Sequence, residues 1–283
     1  MFRSKRTLGR TGRVLALTGL VAGAGAGVAL AAAGTVSRKA FLVPPGGVPA
    51  IAPQATAQTA VGDSARVRQL LESARGVNGL VCDLAARTVD GRSGWWSGSD
   101  AVAAISSSGD SLARDLVTWM HHREIDAVAV PVLRNALADT DPCVRRLAAP
   151  LLARIRDRSA RQAMLAALSA GEASVREMGA LALGFAGDTS GVAPLERQLR
   201  DDSSPRVRAT AAWALGEIER PESARVLMDA LRDADASVRR SAAHALGEIE
   251  NTIAIPALTE LLKSDRDADV RRAAAQALGE IIG

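Results

Sequence analysis

Few residues in this 283-residue chain could carry out catalysis or bind a metal. The three histidines are His121, His122 and His244. His121 and His122 are adjacent, so on a helix their side chains point about 100° apart and cannot both reach one metal ion with good geometry. The sequence also has no glycine-rich phosphate loop, no Ser/His/Asp arrangement and no zinc-ligand spacing. These patterns predict a protein that is not an enzyme and needs no cofactor or metal.

The two cysteines, Cys82 and Cys143, are the other reactive groups. In the repeat described below they occupy near-equivalent positions about two repeats apart. Because stacked helix layers are about 10 Å apart, that separation exceeds the limit of roughly 7 Å between Cα atoms for a disulfide. We therefore expect two free, mostly buried thiols. A disulfide remains the alternative, because the repeat is most divergent near Cys82 and an exported chain can be oxidised.

The charge distribution argues against nucleic-acid binding. The net charge of +4 arises from 35 basic and 31 acidic residues, and five of the basic ones lie in the first thirteen positions. The rest of the chain is therefore close to neutral, with 30 basic and 31 acidic residues. Nucleic-acid binders usually carry a basic stripe in the folded part, and the sequence shows none.

The N-terminal sequence is typical of an exported protein. A basic start is followed by an uncharged stretch, residues 14–33, that ends in small residues. This pattern predicts a signal peptide over residues 1–33, or a membrane anchor if the segment is not cleaved. Residues 34–62 are rich in Pro and Ala, which predicts a disordered linker. We expect the remainder to lie in the periplasm or cell envelope, attached to the inner membrane only if the leader is retained.

A repeat of 31 or 32 residues dominates the C-terminal half. Five Val-Arg dipeptides follow one another at spacings of 31, 32, 31 and 32 residues, and a Leu stands eight residues after each Val. The five valines are Val144, Val175, Val207, Val238 and Val270. Gly follows the Leu in four of the five copies. A fixed period of this length is typical of a solenoid.

Each repeat is predicted to form a pair of helices. Within a copy, apolar residues recur at intervals that place them on one face of a helix, as in Val238, Ala242, Leu246 and Ile249. A shorter apolar helix follows each first helix, and Asp-rich turns separate the copies. One pair cannot bury its own apolar face, whereas stacked pairs can. We therefore predict an all-α fold, an α-solenoid of stacked antiparallel helix pairs, over residues 126–283, with divergent repeats over residues 63–125.

The segment 236–249, with the sequence ASVRRSAAHALGEI, resembles the short HEAT repeat of the PBS-lyase HEAT-like type. The resemblance covers residues 126–283 and implies the solenoid fold, but such repeats serve many unrelated partners. The family includes subunits that attach bilins to phycobiliproteins, and an iron hydroxylase whose repeats carry His-Glu dipeptides. This chain has no His-Glu dipeptide, so the resemblance does not extend to those iron ligands.

Arginines and aspartates recur at fixed positions around the repeat boundaries. One interpretation is a ladder of arginines that binds anions. The other, which we favour because the acids accompany the arginines, is a structural Asp–Arg ladder that ties each turn to its neighbour. Its predicted members are Asp139, Arg145, Asp202, Arg208, Asp233, Arg239, Asp265 and Arg271, and the same column includes Arg176.

Two kinds of position are candidates for partner contacts. Trp213 shares its position with Pro150, Leu181, His244 and Gln276 in the other copies, and so variable a position is predicted to lie at the surface. Trp95 and Trp96 lie in a Gly/Ser-rich loop, where they either cap the solenoid or face a partner. The HEAT resemblance further implies that second helices line the inner face, where the candidate contacts are Arg197, Arg225, Asp229, Thr259 and Lys263.

These features predict a non-catalytic scaffold that binds an unidentified protein in the cell envelope. Two alternatives stay open: an accessory subunit of a bilin-lyase-like or other HEAT-repeat enzyme, and a membrane-tethered sensory ectodomain. The final helix leaves Ala273, Ala277 and Ile282 on the side that a further helix would cover. Uncovered apolar surface favours association, so we also expect weak self-association through this helix.

Overall fold

A computed structural model describes residues 55–77, 79, 81–82, 85–86 and 125–283. Every regular element in these residues is a helix, as the sequence predicts. The helices are α1 (Ala55–Ser73), α2 (Val130–Ala136), α3 (Pro142–Arg154), α4 (Arg158–Leu168), α5 (Ala173–Ala186), α6 (Val192–Asp201), α7 (Pro205–Ile218), α8 (Ala224–Ala230), α9 (Ala236–Glu248), α10 (Ile255–Ser264) and α11 (Ala268–Ile282). The predicted all-α solenoid of helix pairs is confirmed over the repeats.

The five first helices are α3, α5, α7, α9 and α11, and the second helices alternate with them. Aspartates in the turns are the N-cap residues of several first helices. Their carboxylates accept hydrogen bonds from backbone N–H groups in the first turn of the helix. Asp141 accepts from Cys143 and Val144, and Asp235 accepts from Ser237. Such capping offsets the unsatisfied donors at a helix N-terminus, which explains why Asp recurs between the copies.

Successive first helices pack very closely, and the recurring glycine permits it. A Cβ atom built on Gly216 would lie 2.7 Å from the Cα atom of Ala245, and one on Gly247 would lie 2.9 Å from the Cα atom of Ala277. Both distances are too short for any side chain larger than hydrogen. The glycine therefore recurs because the backbone of the next first helix passes directly over it.

The core runs along the stack between the two helix layers. The repeated Val and Leu positions of α7 and α9 are fully buried, including Leu215 and Leu246 at 0% exposure. The packing also corrects one prediction about the last helix: Ala277 is buried against Gly247 of the preceding repeat, so it does not lie on the open side. Ile282 is 69% exposed. A Cβ atom built on Gly279 would have no atom of another helix within 4 Å among the described residues.

The N-terminal helix corrects the predicted linker boundary. Helix α1 begins at Ala55, so residues 55–62 are helical although the sequence predicts a linker there. Alanine is the best helix former, and the Ala-rich composition fits helix as well as linker. Further along α1, Val67 and Leu70 are fully buried, and the Ser64 hydroxyl donates to the Val128 carbonyl oxygen at 3.0 Å. This helix is therefore packed against the first described repeat.

Cys82 and Cys143 form a disulfide, which corrects the expectation of two free thiols. Their Cα atoms are 5.6 Å apart, within the usual range for a disulfide. The expectation was wrong because it placed the cysteines about two repeats apart. In the structure, the chain just after α1 lies directly against the turn before α3, where the Gly76 N–H donates to the Asp141 carboxylate at 2.8 Å.

We expect loss of this disulfide to destabilise the N-terminal part of the protein by about 2–4 kcal/mol, because the bond closes a loop with a sequence separation of 61 residues. The measurement is urea denaturation of the full chain and of the double variant Cys82→Ala with Cys143→Ala. Wild-type protein under reducing conditions should resemble the double variant. Equal stability of oxidised and reduced wild-type protein would contradict the expectation.

Candidate partner-binding surface

Bidentate ion pairs join successive repeats. In three repeats, the arginine of the first helix donates through Nε and Nη2 to both carboxylate oxygens of an aspartate in the following turn. The pairs are Arg176–Asp202 (2.6 and 2.9 Å), Arg208–Asp233 (2.8 and 2.9 Å) and Arg239–Asp265 (2.7 and 3.0 Å). Arg75, just after α1, also binds both carboxylate oxygens of Asp139, but through Nη1 and Nη2, at 2.9 and 3.0 Å.

The third guanidinium nitrogen ties each arginine to its own turn. Nη1 of Arg239 donates to the carbonyl oxygen of Asp233 at 2.9 Å, and Nη1 of Arg271 donates to that of Asp265 at 2.8 Å. Each ladder aspartate is thus held through its carboxylate by the preceding repeat and through its carbonyl by its own repeat. The carboxylate pairs therefore cross from one repeat to the next.

Hydrogen bonds from the arginines lower the pKa values of the ladder carboxylates. The Arg176 guanidinium holds the pKa of Asp202 below its usual value, and Arg239 does the same for Asp265. Burial of these carboxylates opposes the shift but is outweighed. The ionised form is therefore the one that the folded protein stabilises.

We expect the protein to lose stability as the pH falls below about 4. A carboxyl group whose pKa is lower in the folded state than in the unfolded state contributes stability that is complete above its unfolded pKa. That contribution is lost as the pH falls through the folded pKa. Urea denaturation at a series of acidic pH values measures the effect. In Arg176→Gln the acid-dependent loss should be smaller because one pair is already missing; stability that stays constant on acidification would contradict the expectation.

The surface of the first helices carries a groove centred on Trp213, which we call the Trp213 groove. It consists of two cavities of about 320 and 190 Å³, and both are lined by Trp213 and Ser241. The indole is half-buried and packs edge-on against Phe185, with ring centroids 5.1 Å apart. An anchored aromatic ring with one side open to a cavity can accept an apolar side chain from outside.

Charged side chains surround the groove. In the larger cavity, Arg206 pairs with Glu177 at 3.1 Å, and in the smaller cavity Arg272 pairs with Asp269 at 2.6 Å. The exposed fractions of Arg206 and Arg272 are 77% and 75%, so water competes for both guanidinium groups and the two ion pairs are weak. The arrangement is an apolar centre with a polar rim, which is typical of protein interfaces.

The repeats match a known family over more than half of the chain. The family model for HEAT repeats matches residues 130–209 and 192–279. The chain belongs to the HEAT repeat family. The HEAT-like fold predicted from the segment 236–249 is thereby confirmed.

Two solved structures illustrate what the fold is similar to. One is the complex of CpcE and CpcF of phycocyanin lyase from Nostoc sp. PCC7120, with 21% identity and a TM-score of 0.50 over 54% of this chain and 99% of that chain. An engineered protein has 23% identity and a TM-score of 0.42 over 76% of this chain and 96% of that chain. No curated protein matches the sequence significantly. At these identities the similarity concerns the fold alone.

The predicted contacts on the second helices of the HEAT repeats are mostly exposed. Arg197, Arg225, Asp229 and Lys263 are solvent-accessible, whereas the Thr259 hydroxyl donates to the Ile255 carbonyl oxygen of its own helix at 2.8 Å. Asp229 lines a cavity of about 610 Å³ that also borders the Arg239–Asp265 pair. Met228, Leu231, Ala257 and Leu261 also line this cavity, whereas Arg197, Arg225 and Lys263 do not.

Other candidate residues lie outside the described part of the chain, namely Trp95, Trp96, His121 and His122. His244 is exposed on a HEAT first helix, where its Nδ1 lies 3.6 Å from a carboxylate oxygen of Glu248. The described residues contain no group of His, Cys, Asp or Glu side chains suited to a metal ion. None of the helices in the described ranges is long and apolar enough to cross a membrane.

Glutamates mark the C-terminal ends of the HEAT first helices. Glu217, Glu248 and Glu280 occupy the same position in α7, α9 and α11. Burial raises the pKa of Glu248; the electrostatic interaction with His244 opposes this shift, and nearby Glu280 adds to it. Carboxylates at a helix C-terminus oppose the helix dipole, so this row contributes little to helix stability. The sequence analysis did not identify the row, although the repeated Leu-Gly-Glu motif contains it.

Proposed function

We propose that this protein is a non-catalytic scaffold of the cell envelope that holds a partner protein in the Trp213 groove. The observation that carries the proposal is the half-buried Trp213 between two cavities on the first-helix surface. Aromatic residues in desolvated pockets contribute most of the binding free energy in many interfaces. HEAT repeats supply the rigid surface on which such a residue is presented.

The location in the cell envelope rests on two features. The basic start followed by an uncharged stretch is typical of an export signal. The Cys82–Cys143 disulfide is of a kind that persists in oxidising compartments and is rare in the cytosol. N-terminal sequencing of the mature protein tests the location and shows whether the leader is removed. A retained leader would favour the membrane-tethered sensory alternative.

The bilin-lyase alternative is supported by the fold similarity to the CpcE–CpcF complex alone. That complex pairs two chains, which fits a role in protein–protein association for this chain as well. Absorbance of the purified protein mixed with a bilin tests the alternative directly. A shifted bilin spectrum would favour it over the scaffold.

The scaffold proposal is tested by affinity capture of the full-length protein from an envelope extract at several salt concentrations. We expect one partner to be recovered with wild type and with Arg225→Ala, and to be reduced more than tenfold with Trp213→Ala. Arg225 is the matched control because it is exposed on the second helix α8, away from the groove. Recovery of no specific partner would contradict the scaffold, and loss with Arg225→Ala alone would move the interface to the second helices.

A further inference from the structure

One repeat lacks the aspartate that completes the ladder. Arg145 occupies the ladder position in α3, and its Nη1 donates to the carbonyl oxygens of Asp139 and Thr140 at 2.5 and 3.0 Å. Among the described residues no carboxylate pairs with its Nε and Nη2, the two nitrogens that bind aspartate in three other repeats. Asp202 and Asp233 each stand six residues before the ladder arginine of their own repeat. Six residues before Arg176 the chain has Ala170 instead.

The backbone of that turn is nevertheless built like the others. The Ala170 carbonyl oxygen accepts from Nη1 of Arg176 at 3.0 Å, as the Asp233 carbonyl oxygen accepts from Nη1 of Arg239 at 2.9 Å. Because the backbone contact is the same, the Ala170 side chain occupies the place from which Asp233 reaches the preceding arginine. Only the carboxylate is missing. Nε and Nη2 of Arg145 are therefore suited to bind a carboxylate from another molecule.

Arg145 is also one of the residues that line the Trp213 groove. Arg145, Arg146 and Arg206 line the larger cavity together with a single acidic residue, Glu177. Glu177 pairs with Arg206 at 3.1 Å, and no carboxylate of the described residues accepts a hydrogen bond from Arg145. Trp213 lies on α7, two first helices along the stack from α3. At about 10 Å between neighbouring helices the two ends are roughly 20 Å apart.

We propose that the groove binds an acidic, extended segment of the partner protein, and this inference rests on the proposed function. A carboxylate of the segment binds Nε and Nη2 of Arg145 in place of the missing aspartate, and an apolar side chain of the same segment packs on Trp213. Extended chain rises about 3.3 Å per residue, so the two side chains are about six residues apart. The proposed segment therefore needs both a carboxylate and an apolar side chain at that spacing. An acidic segment without the apolar side chain would not meet this requirement.

The decisive variant is Ala170→Asp, which supplies the missing carboxylate from within the protein. The probe is a fluorescein-labelled peptide with Asp-Asp near one end and Leu six residues later, and binding is measured by fluorescence anisotropy. We expect Ala170→Asp to bind the peptide at least tenfold more weakly than wild type and to melt at a higher temperature. Unchanged peptide binding, or a lowered melting temperature, would overturn the inference.

Matched variants separate this inference from the proposed function. Arg145→Ala and Trp213→Ala should each weaken peptide binding at least tenfold. Arg200→Ala, at an exposed position of the second helix α6, should bind like wild type. A peptide with Asn-Asn in place of Asp-Asp should also bind at least tenfold more weakly. If Trp213→Ala loses the captured partner while Ala170→Asp retains it, the scaffold stands and the acidic segment is wrong. If wild type does not bind the Asp-Asp peptide, the inference fails whatever the capture experiment shows.

Discussion

Arg239→Met is expected to lower the free energy of unfolding by about 3–5 kcal/mol, because it leaves Asp265 as a buried charge without its partner. The Arg239 side chain is 8% exposed and that of Asp265 is 6% exposed, so this is the most buried pair of the ladder. The substitution also removes the hydrogen bonds to the carbonyl oxygens of Asp233 and Ala234. Urea denaturation followed by circular dichroism measures the loss.

Two comparisons show whether burial causes that loss. Arg272→Met removes an arginine that pairs with Asp269 but is 75% exposed, and we expect a change of about 0–1 kcal/mol. The double variant Arg239→Met with Asp265→Leu removes both charges and should recover much of the stability lost in the single variant. Equal losses in Arg239→Met and Arg272→Met would mean that the ladder contributes no more than surface ion pairs.

The repeat could be predicted from sequence because each copy obeys the same local constraints. The Val and Leu positions are spaced to fall on one helix face, and the glycine permits the next helix to approach closely. Leu246 and Gly247 illustrate this: the first is fully buried and the second lies under Ala277. The same pattern occurs in five copies, so the helix pairs could be predicted from the periodicity alone.

The disulfide and the start of α1 could not be predicted in the same way. Around Cys82 the repeat is divergent, so the sequence does not show which repeat this residue belongs to. The expected distance from Cys82 to Cys143 depends on that assignment, because it determines which helix layers are neighbours. Likewise, residues 55–62 are rich in alanine, and whether such a segment forms a helix depends on what α1 packs against further along.

The candidate site was only partly predictable because it is formed between repeats. The variable position of Trp213 indicated a surface residue, but the cavities beside it depend on side chains from neighbouring first helices. The ladder shows the same difficulty. The sequence does not show which arginine each aspartate binds: in the structure Asp139 pairs with Arg75, and the turn that follows Arg145 in the chain has Ala170 at the aspartate position. An alignment of the turns shows that an aspartate is absent at Ala170. It shows that Arg145 lacks a partner only once each arginine is known to bind the aspartate of the following repeat.

Leu246→Ala is expected to destabilise the protein by about 2–5 kcal/mol, because it removes a fully buried side chain and leaves a cavity. Leu246 lies on α9, which packs against both α7 and α11, so repeats on both sides depend on it. Urea denaturation of the full chain measures the effect. A loss below about 0.5 kcal/mol would mean that this position does not belong to the core.

Leu278→Ala is the matched control, since Leu278 holds the same repeat position on the last helix, α11, but is only partly buried. Less apolar surface returns to water on truncation there, and solvent can reach the space that is left, so the loss should be clearly smaller than for Leu246→Ala. The stability of stacked repeats is approximately a sum of each repeat and its interfaces with its neighbours. Leu246 is fully buried, on a helix that packs against first helices on both sides, whereas Leu278 is partly buried. Equal losses at the two positions would therefore show that burial within one helix pair, rather than stacking between pairs, determines the stability of this protein.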